Sequence, residues 1–214
     1  MRGRGVGLVA VLGPLALGAC ELGDPVNGGP GTGADTTVNI LSTPTLDGYA
    51  GSNGASGTAL AQGLTGDLLS LASVGFRQFY SFDISAIPSG STIVSATVRL
   101  HQGGTAGSPY GLLGNVLLDH VDYGAVLEAA DYAVPALSTP GTLSTNTTLE
   151  YKQLAVTAQV QADITASRTR SQFRLRFSTA DFSNNGLSDH VEFTDAEAPG
   201  NNPVLIVRYR APVP

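Results

Sequence analysis

Alternation of apolar and polar side chains at a period of two residues is the feature that most restricts this chain. Tyr80, Phe82 and Ile84 fall on one face of an extended segment, and Arg77, Phe79, Ser81 and Asp83 on the other. Val94, Ala96, Val98 and Leu100 alternate with Ser95, Thr97 and Arg99; Phe173, Leu175 and Phe177 are expected to point inward while Arg174 and Arg176 point out. Val191 and Phe193 continue the pattern, and Val204 to Tyr209 and Leu113 to Val121 are further candidate strands. Successive side chains of a strand point to opposite faces, so this pattern fits half-buried β-structure and not helix. Turn dipeptides separate the segments, including Pro140-Gly141, Asn185-Gly186 and Pro199-Gly200. The expected fold is an all-β, jelly-roll-like antiparallel β-sandwich of about eight to ten strands, with at most one short helix. That helix is expected near Val156 to Ala166, with Thr157 as its N-cap and Val160 and Ile164 on its buried side.

Such a fold must hold together without disulfides. The chain has one cysteine, Cys20, which has no partner. Its position gives it another meaning. Arg2 and Arg4 precede an uncharged run from Val6 to Leu17, shorter than the roughly 20 residues of a membrane span. Leu17-Gly18-Ala19-Cys20 then resembles the lipobox of bacterial lipoproteins. The resemblance implies that residues 1–19 are a signal peptide, removed as Cys20 receives diacylglycerol and then an N-acyl chain. Two or more acyl chains anchor a protein stably, where one is marginal. Residues 20–37, rich in Gly, Pro, Asn and Thr, read as a tether with a reach of roughly 20–25 Å. The domain is expected from Val38 to Pro214, and the protein in the cell envelope, on the outer membrane or cell surface, with the periplasmic face open. Loss of Arg2 and Arg4 leaves nine basic and seventeen acidic residues, a net charge of −8, which argues against nucleic acid as a partner.

One phrase points further. Arg77-Gln78-Phe79-Tyr80-Ser81-Phe82-Asp83-Ile84-Ser85, then Ile87-Pro88-Ser89-Gly90 and Ser95-Ala96-Thr97-Val98-Arg99-Leu100, is similar to the phrase FDLS-x-IP-x-G-x-x-I-x-x-A-x-L-x-L of the DNRLRE-type domain. Leu154 to Asp163 and Pro203 to Tyr209 resemble later stretches of that family, in the same order, with Ala155 where an aspartate is usual. The resemblance implies a jelly-roll sandwich appended to secreted proteins and related to carbohydrate-binding module family 96, some members of which bind acidic polysaccharides. A polysaccharide is therefore one expected partner. The other class of function is a structural or assembly protein packing against another envelope component. Within the phrase, Asp83 is expected either to cap nearby backbone amides or to touch a ligand.

Two constellations could carry a site. Asp181, Ser183, Asn185, Asp189 and Glu192 place oxygens at positions 1, 3, 5, 9 and 12 of a loop with Gly186 at position 6. This is the spacing of an EF-hand Ca²⁺ loop, although the flanks read as strands and the Asn-Gly pair equally suits a polar hairpin. Asp119, Asp122, Glu128 and Asp131 are interleaved with Tyr123 and Tyr132. With no tryptophan in the chain, Tyr110 and Tyr132 are the candidate platforms for stacking a sugar, or else ordinary half-buried tyrosines. Catalysis is not expected. His101, His120 and His190 sit on or beside strands outside any zinc motif, and there is no nucleophile elbow or phosphate-binding glycine loop.

Overall fold

The structure, a computed structural model, describes residues 34–58, 62–68 and 74–213. The signal segment, Cys20 and the tether up to residue 33 lie outside these residues. Twelve strands are present among them: β1 Asp35–Leu41, β2 Gly48–Gly51, β3 Ser56–Thr58, β4 Gln62–Asp67, β5 Gly75–Asp83 and β6 Thr92–Ala106, then β7 Val116–Val121, β8 Ser138–Ser144, β9 Tyr151–Ala155, β10 Arg170–Phe177, β11 His190–Thr194 and β12 Val204–Arg210. All pairings are antiparallel, in the order β1-β12-β6-β11-β4-β5-β10-β7-β8, with β9 beside β6 and β2 joining β5 to β3. The fold is all-β and sandwich-like, as the alternation predicts.

The sheet becomes a sandwich because β6 serves both layers. Residues 92–99 of β6 pair with β12 and residues 97–101 with β9, while residues 102–106 pair with β11. Val98 and Leu100 of β6 and Leu205 and Val207 of β12 therefore meet Tyr80, Phe82, Leu118 and Phe173 from the other layer in one core. Each of these side chains is fully buried, a contribution of about 1.5–3 kcal/mol for each aliphatic or phenyl side chain. At the end of β5 the chain reverses at Ile87-Pro88-Ser89-Gly90. Ile87 N–H donates to Ile84 O, Ser91 N–H donates to Pro88 O, and Gly90 takes φ +78°. Asp83 caps this turn by accepting from Ser85 N–H at 2.9 Å, and the Ser85 hydroxyl, then that N–H, hold its carboxyl below the usual range.

β1 starts three residues ahead of Val38, and Asp35 bonds Arg208 and Arg210 across β12. Three expectations change. The helix is Thr157–Thr165, with Val160 and Ile164 buried, but a second single turn stands at Pro109–Leu112. We call these α2 and α1. Thr157 is not the cap: Val156 occupies that position, and the Thr157 hydroxyl accepts from Ala96 N–H at 3.0 Å, fastening α2 to β6. Finally, the supposedly outward face of β5 and β10 is covered. Phe79 packs with Leu46, Ala50, Val121, Tyr123 and Leu127 in a second small core, because the segment after β7 folds back over that face. Arg174 lies beneath it, buried. No helix among the described residues is long and apolar enough to cross a membrane.

Candidate functional site

The loop between β10 and β11 does not bring its five expected ligands together. Asp181 Oδ2 accepts from Arg77 Nη2 and from the Tyr132 hydroxyl, each at 2.7 Å. Asp189 accepts from Ser108 N–H and from Asn185 Nδ2, each at 2.6 Å. Glu192 is already inside β11, opposite Leu64 and Gly104. Ser183 contributes its backbone N–H, which donates to Asp67 Oδ2. Asp67 also accepts from Asp189 N–H at 2.7 Å, so a carboxylate on β4 organises this loop from across the sheet. Sequence reasoning missed Asp67 because β4 is glycine-rich and shows no alternation.

The two tyrosines are also engaged. The Tyr110 hydroxyl donates to Gln102 Oε1 at 2.9 Å and lies 2.7 Å from Ser144 Oγ, and its ring meets Phe177 edge-on. Tyr132 sits on a 3-10 turn, Ala129–Ala133, with the Arg77 guanidinium 4.3 Å above its ring. Burial, then the Asp181 carboxylate, push its hydroxyl up to about 12. The acidic group around it separates into structural roles. Glu128 and Asp131 cap the 3-10 turn reciprocally, the buried Tyr123 hydroxyl donates to Leu46 O, and Asp119 binds Arg174 and Arg176. Only Asp122 of that group reaches an open cleft.

The histidines are held internally as well. His120 Nε2 lies 3.0 Å from both oxygens of buried Asp163, which also accepts from Ser171 Oγ at 2.6 Å and Arg168 Nη1 at 2.9 Å. His190 Nδ1 contacts Asp67 O at 3.0 Å, and the His101 ring meets Tyr151 edge-on.

Beside Asp122, and smaller than the groove of about 510 Å³ lined by Ser91, Gln161 and Thr165, lies a cleft. It measures about 350 Å³ and is lined by Asp122, Gly124, Arg168, Arg170 and Gln172 among others. A second cleft of about 180 Å³ shares Ser167, Arg168 and Thr169 with it and continues toward Ser85 and Ile87. The turn between α2 and β10 shapes both: Ser167 adopts φ +57°, which carries the chain abruptly from helix to strand. Arg168 is placed by Asp163 below it and by Asp122 Oδ2 at 3.1 Å beside it, and its side chain remains 31% exposed. Arg170 is steadied by Thr43 Oγ1 at 3.0 Å. Gln172 spends its amide on the backbone of Tyr123 and Gly124, fixing the far wall. The wall thus offers two guanidinium forks and one carboxylate, suited to hydroxyl and carboxylate partners. None of its residues was singled out from sequence except Asp122.

A different electrostatic feature is a pair of buried acids bonded to β5. Asp47, after the turn that follows β1, and Asp195, after β11, are fully buried. Burial pushes the Asp47 carboxyl up to about 8 and the Asp195 carboxyl up to about 7; nearby Glu197 raises both further, and Asp195 adds to the effect on Asp47. Among the described residues no group of three or more His, Cys, Asp or Glu side chains is placed to hold a metal ion.

No family model matches the chain, and no curated protein matches it. Among solved structures it is similar to the crystal structure of BuGH86 in complex with neoagarooctaose, at 8% identity and a TM-score of 0.32, over 82% of this chain and 19% of that one. The chain spans about a fifth of that protein's length. A likeness of this size identifies neither a shared fold nor a shared ligand.

Proposed function

We propose that this protein is a lipid-anchored, non-catalytic binding module of the cell envelope whose sandwich takes a polysaccharide in the cleft at Arg168. The observation that carries the reading is the chemistry of that cleft. Arg170, and the part of Arg168 not spent on Asp122 and Asp163, present guanidinium N–H donors to the cleft, groups that pair with carboxylates and hydroxyls. Asp122 supplies the acceptor that sugar hydroxyls need. No aromatic side chain lines this cleft, so recognition rests on hydrogen bonds and charge, which favours acidic sugars over neutral ones. The lipobox-like Leu17-Gly18-Ala19-Cys20 supplies the place of action.

Affinity electrophoresis through gels containing a polyuronate or a neutral glucan tests the ligand. Retardation in the polyuronate gel, weakened about tenfold or more by Arg170→Ala, supports the reading. Equal mobility in every gel, together with a protein that co-purifies stoichiometrically, would instead favour the structural and assembly role. The anchor is tested separately: Cys20→Ser is expected to move the exported protein from the membrane to the soluble fraction, and continued membrane partitioning would sink that part.

A further inference from the structure

The cleft at Arg170 does not end at its own wall. Three depressions follow one another around the turn between α2 and β10, and Ser167 lines all of them. The first, of about 350 Å³, shares Arg168 and Thr169 with the second, of about 180 Å³. The second shares Ser89 and Ile164 with the third, of about 510 Å³, which reaches Thr92 at the start of β6. They form one groove, and its chemistry changes along its length. In the first part Arg170 Nη1 is spent on the hydroxyls of Thr43 and Ser81, but Arg170 forms no ion pair among the described residues. The middle part has Ile84, Ile87 and Ile164 in its wall, apolar side chains that are otherwise buried. Among the described residues no charged side chain lines the third part. Its wall is fixed from within: Gln161 Oε1 accepts from Ile93 N–H at 2.8 Å, and the Ser91 hydroxyl donates to Pro88 O at 2.7 Å. The hydroxyls of Ser89, Thr92 and Ser167, on exposed residues, bond to no described residue.

We propose that this groove takes a stretch of several sugars of a linear polysaccharide, with an acidic sugar at Arg170 and neutral sugars beyond Ser167 toward Thr92. The inference rests on the polysaccharide reading and deepens it. A sugar ring has apolar C–H faces and a rim of hydroxyls. The isoleucine wall suits the faces, and the hydroxyls of Ser89, Thr92 and Ser167, each donor and acceptor at once, suit the rim. The free guanidinium donors of Arg170 pair with a carboxylate. A second carboxylate in the third part would lose hydration there and meet no cation. The best-fitting chain therefore carries its acidic groups apart, with neutral units between them. A site for one terminal sugar would stop at the Arg170 cleft, whereas this wall runs on through two further parts.

Calorimetric titration of the full mature chain with polyuronate oligomers, from dimer to octamer, provides the test. Affinity is expected to rise about thirtyfold or more over that series, beyond the several-fold that the extra registers of a longer chain give by themselves. Octamers with half of their carboxyls reduced to alcohols should bind within about threefold of the parent octamer, or more tightly, and fully reduced octamers at least about tenfold more weakly. Ser89→Leu, at an exposed turn position, narrows the third part and should remove most of the gain with length. Arg170→Ala should weaken every oligomer. A gain no larger than the number of registers, or an octamer indifferent to Ser89→Leu, overturns the extended groove while leaving the cleft at Arg168 as the binding site. A larger loss than threefold on half reduction overturns the neutral flank. Failure of every oligomer to bind overturns the polysaccharide reading and this inference with it.

Discussion

Asp119→Ala should be among the most damaging polar substitutions in this domain. The Asp119 side chain is 0% exposed and the Arg174 side chain 5%. Asp119 accepts from Arg174 Nη2 at 2.7 Å, Arg176 Nε at 2.8 Å and Thr139 Oγ1 at 2.6 Å. Truncation leaves Arg174 bonded only to the carbonyls of Val134 and Tyr132, with no counter-charge beneath the covering segment. Removing one member of a buried pair costs about 3–5 kcal/mol. For a domain of this size that lowers Tm by roughly 6–20 °C. Urea unfolding followed by circular dichroism measures it. The double variant Asp119→Leu with Arg174→Met should lose far less than the sum of the two single changes, since the stranded charge is gone. The pH dependence has a defined sign. Burial alone would raise the Asp119 carboxyl, but the bonds from Arg176, Thr139 and Arg174 outweigh it and hold it below its ordinary value. Its stabilisation is therefore present above the unfolded value and lost as pH falls through the folded one, below about pH 4. Asp119→Asn should flatten that acid limb. A loss under about 1 kcal/mol in Asp119→Ala, or strict additivity in the double variant, would refute the reasoning.

Other consequences can be measured on the same footing. Phe173→Ala, at a fully buried ring packed against Phe82 and His120, should cost about 3–5 kcal/mol in urea unfolding. Gly66→Ala should loosen the β4–β11 pairing, because Gly66 has φ +121° and an added Cβ would stand 2.3 Å from Asp189 O; faster amide exchange in His190–Thr194 would report it. Tyr132→Phe should cost about 1 kcal/mol through the lost hydrogen bond to Asp181 while leaving the Arg77 stacking in place, and equal stability to the parent would argue that the bond does not form in solution.

What could be read in advance follows from where the information lies. β5, β6, β10 and β12 declare themselves because one strand face meets a core, and alternation records that directly. β2, β3 and β4 do not, since their glycines answer to distant neighbours: a side chain at Gly63 would collide with Gln78, and one at Gly66 with the backbone of Asp189. β8 is rich in Ser, Thr and Gly and pairs on one side with β7, so it needs no apolar stripe. Alternation names the two faces of a strand but not what later covers them, which is why Arg174 read as outward and proved buried. The same limit applies to the site. An EF-hand spacing presumes a loop path that β11 interrupts by drawing Glu192 into the sheet. Asp47 and Asp195 are separated by most of the chain and by no pattern at all, and only the fold brings both against β5.

The pairing of β1 with β12 has a consequence in time. Among the described residues β1 has no hydrogen-bonded strand neighbour other than β12, and β12 also separates β1 from β6. At synthesis rates of about 5–20 residues per second, Asp35 waits on the order of 10–30 s for Arg210 to be made. Throughout that interval Val38 and Ile40 have no strand to pair with, and Val98 and Leu100 lack half of their layer. The layer formed by β1, β12 and β6 therefore closes only after Arg210 has been made, and until then β1 is an unpaired strand open to pairing with another copy.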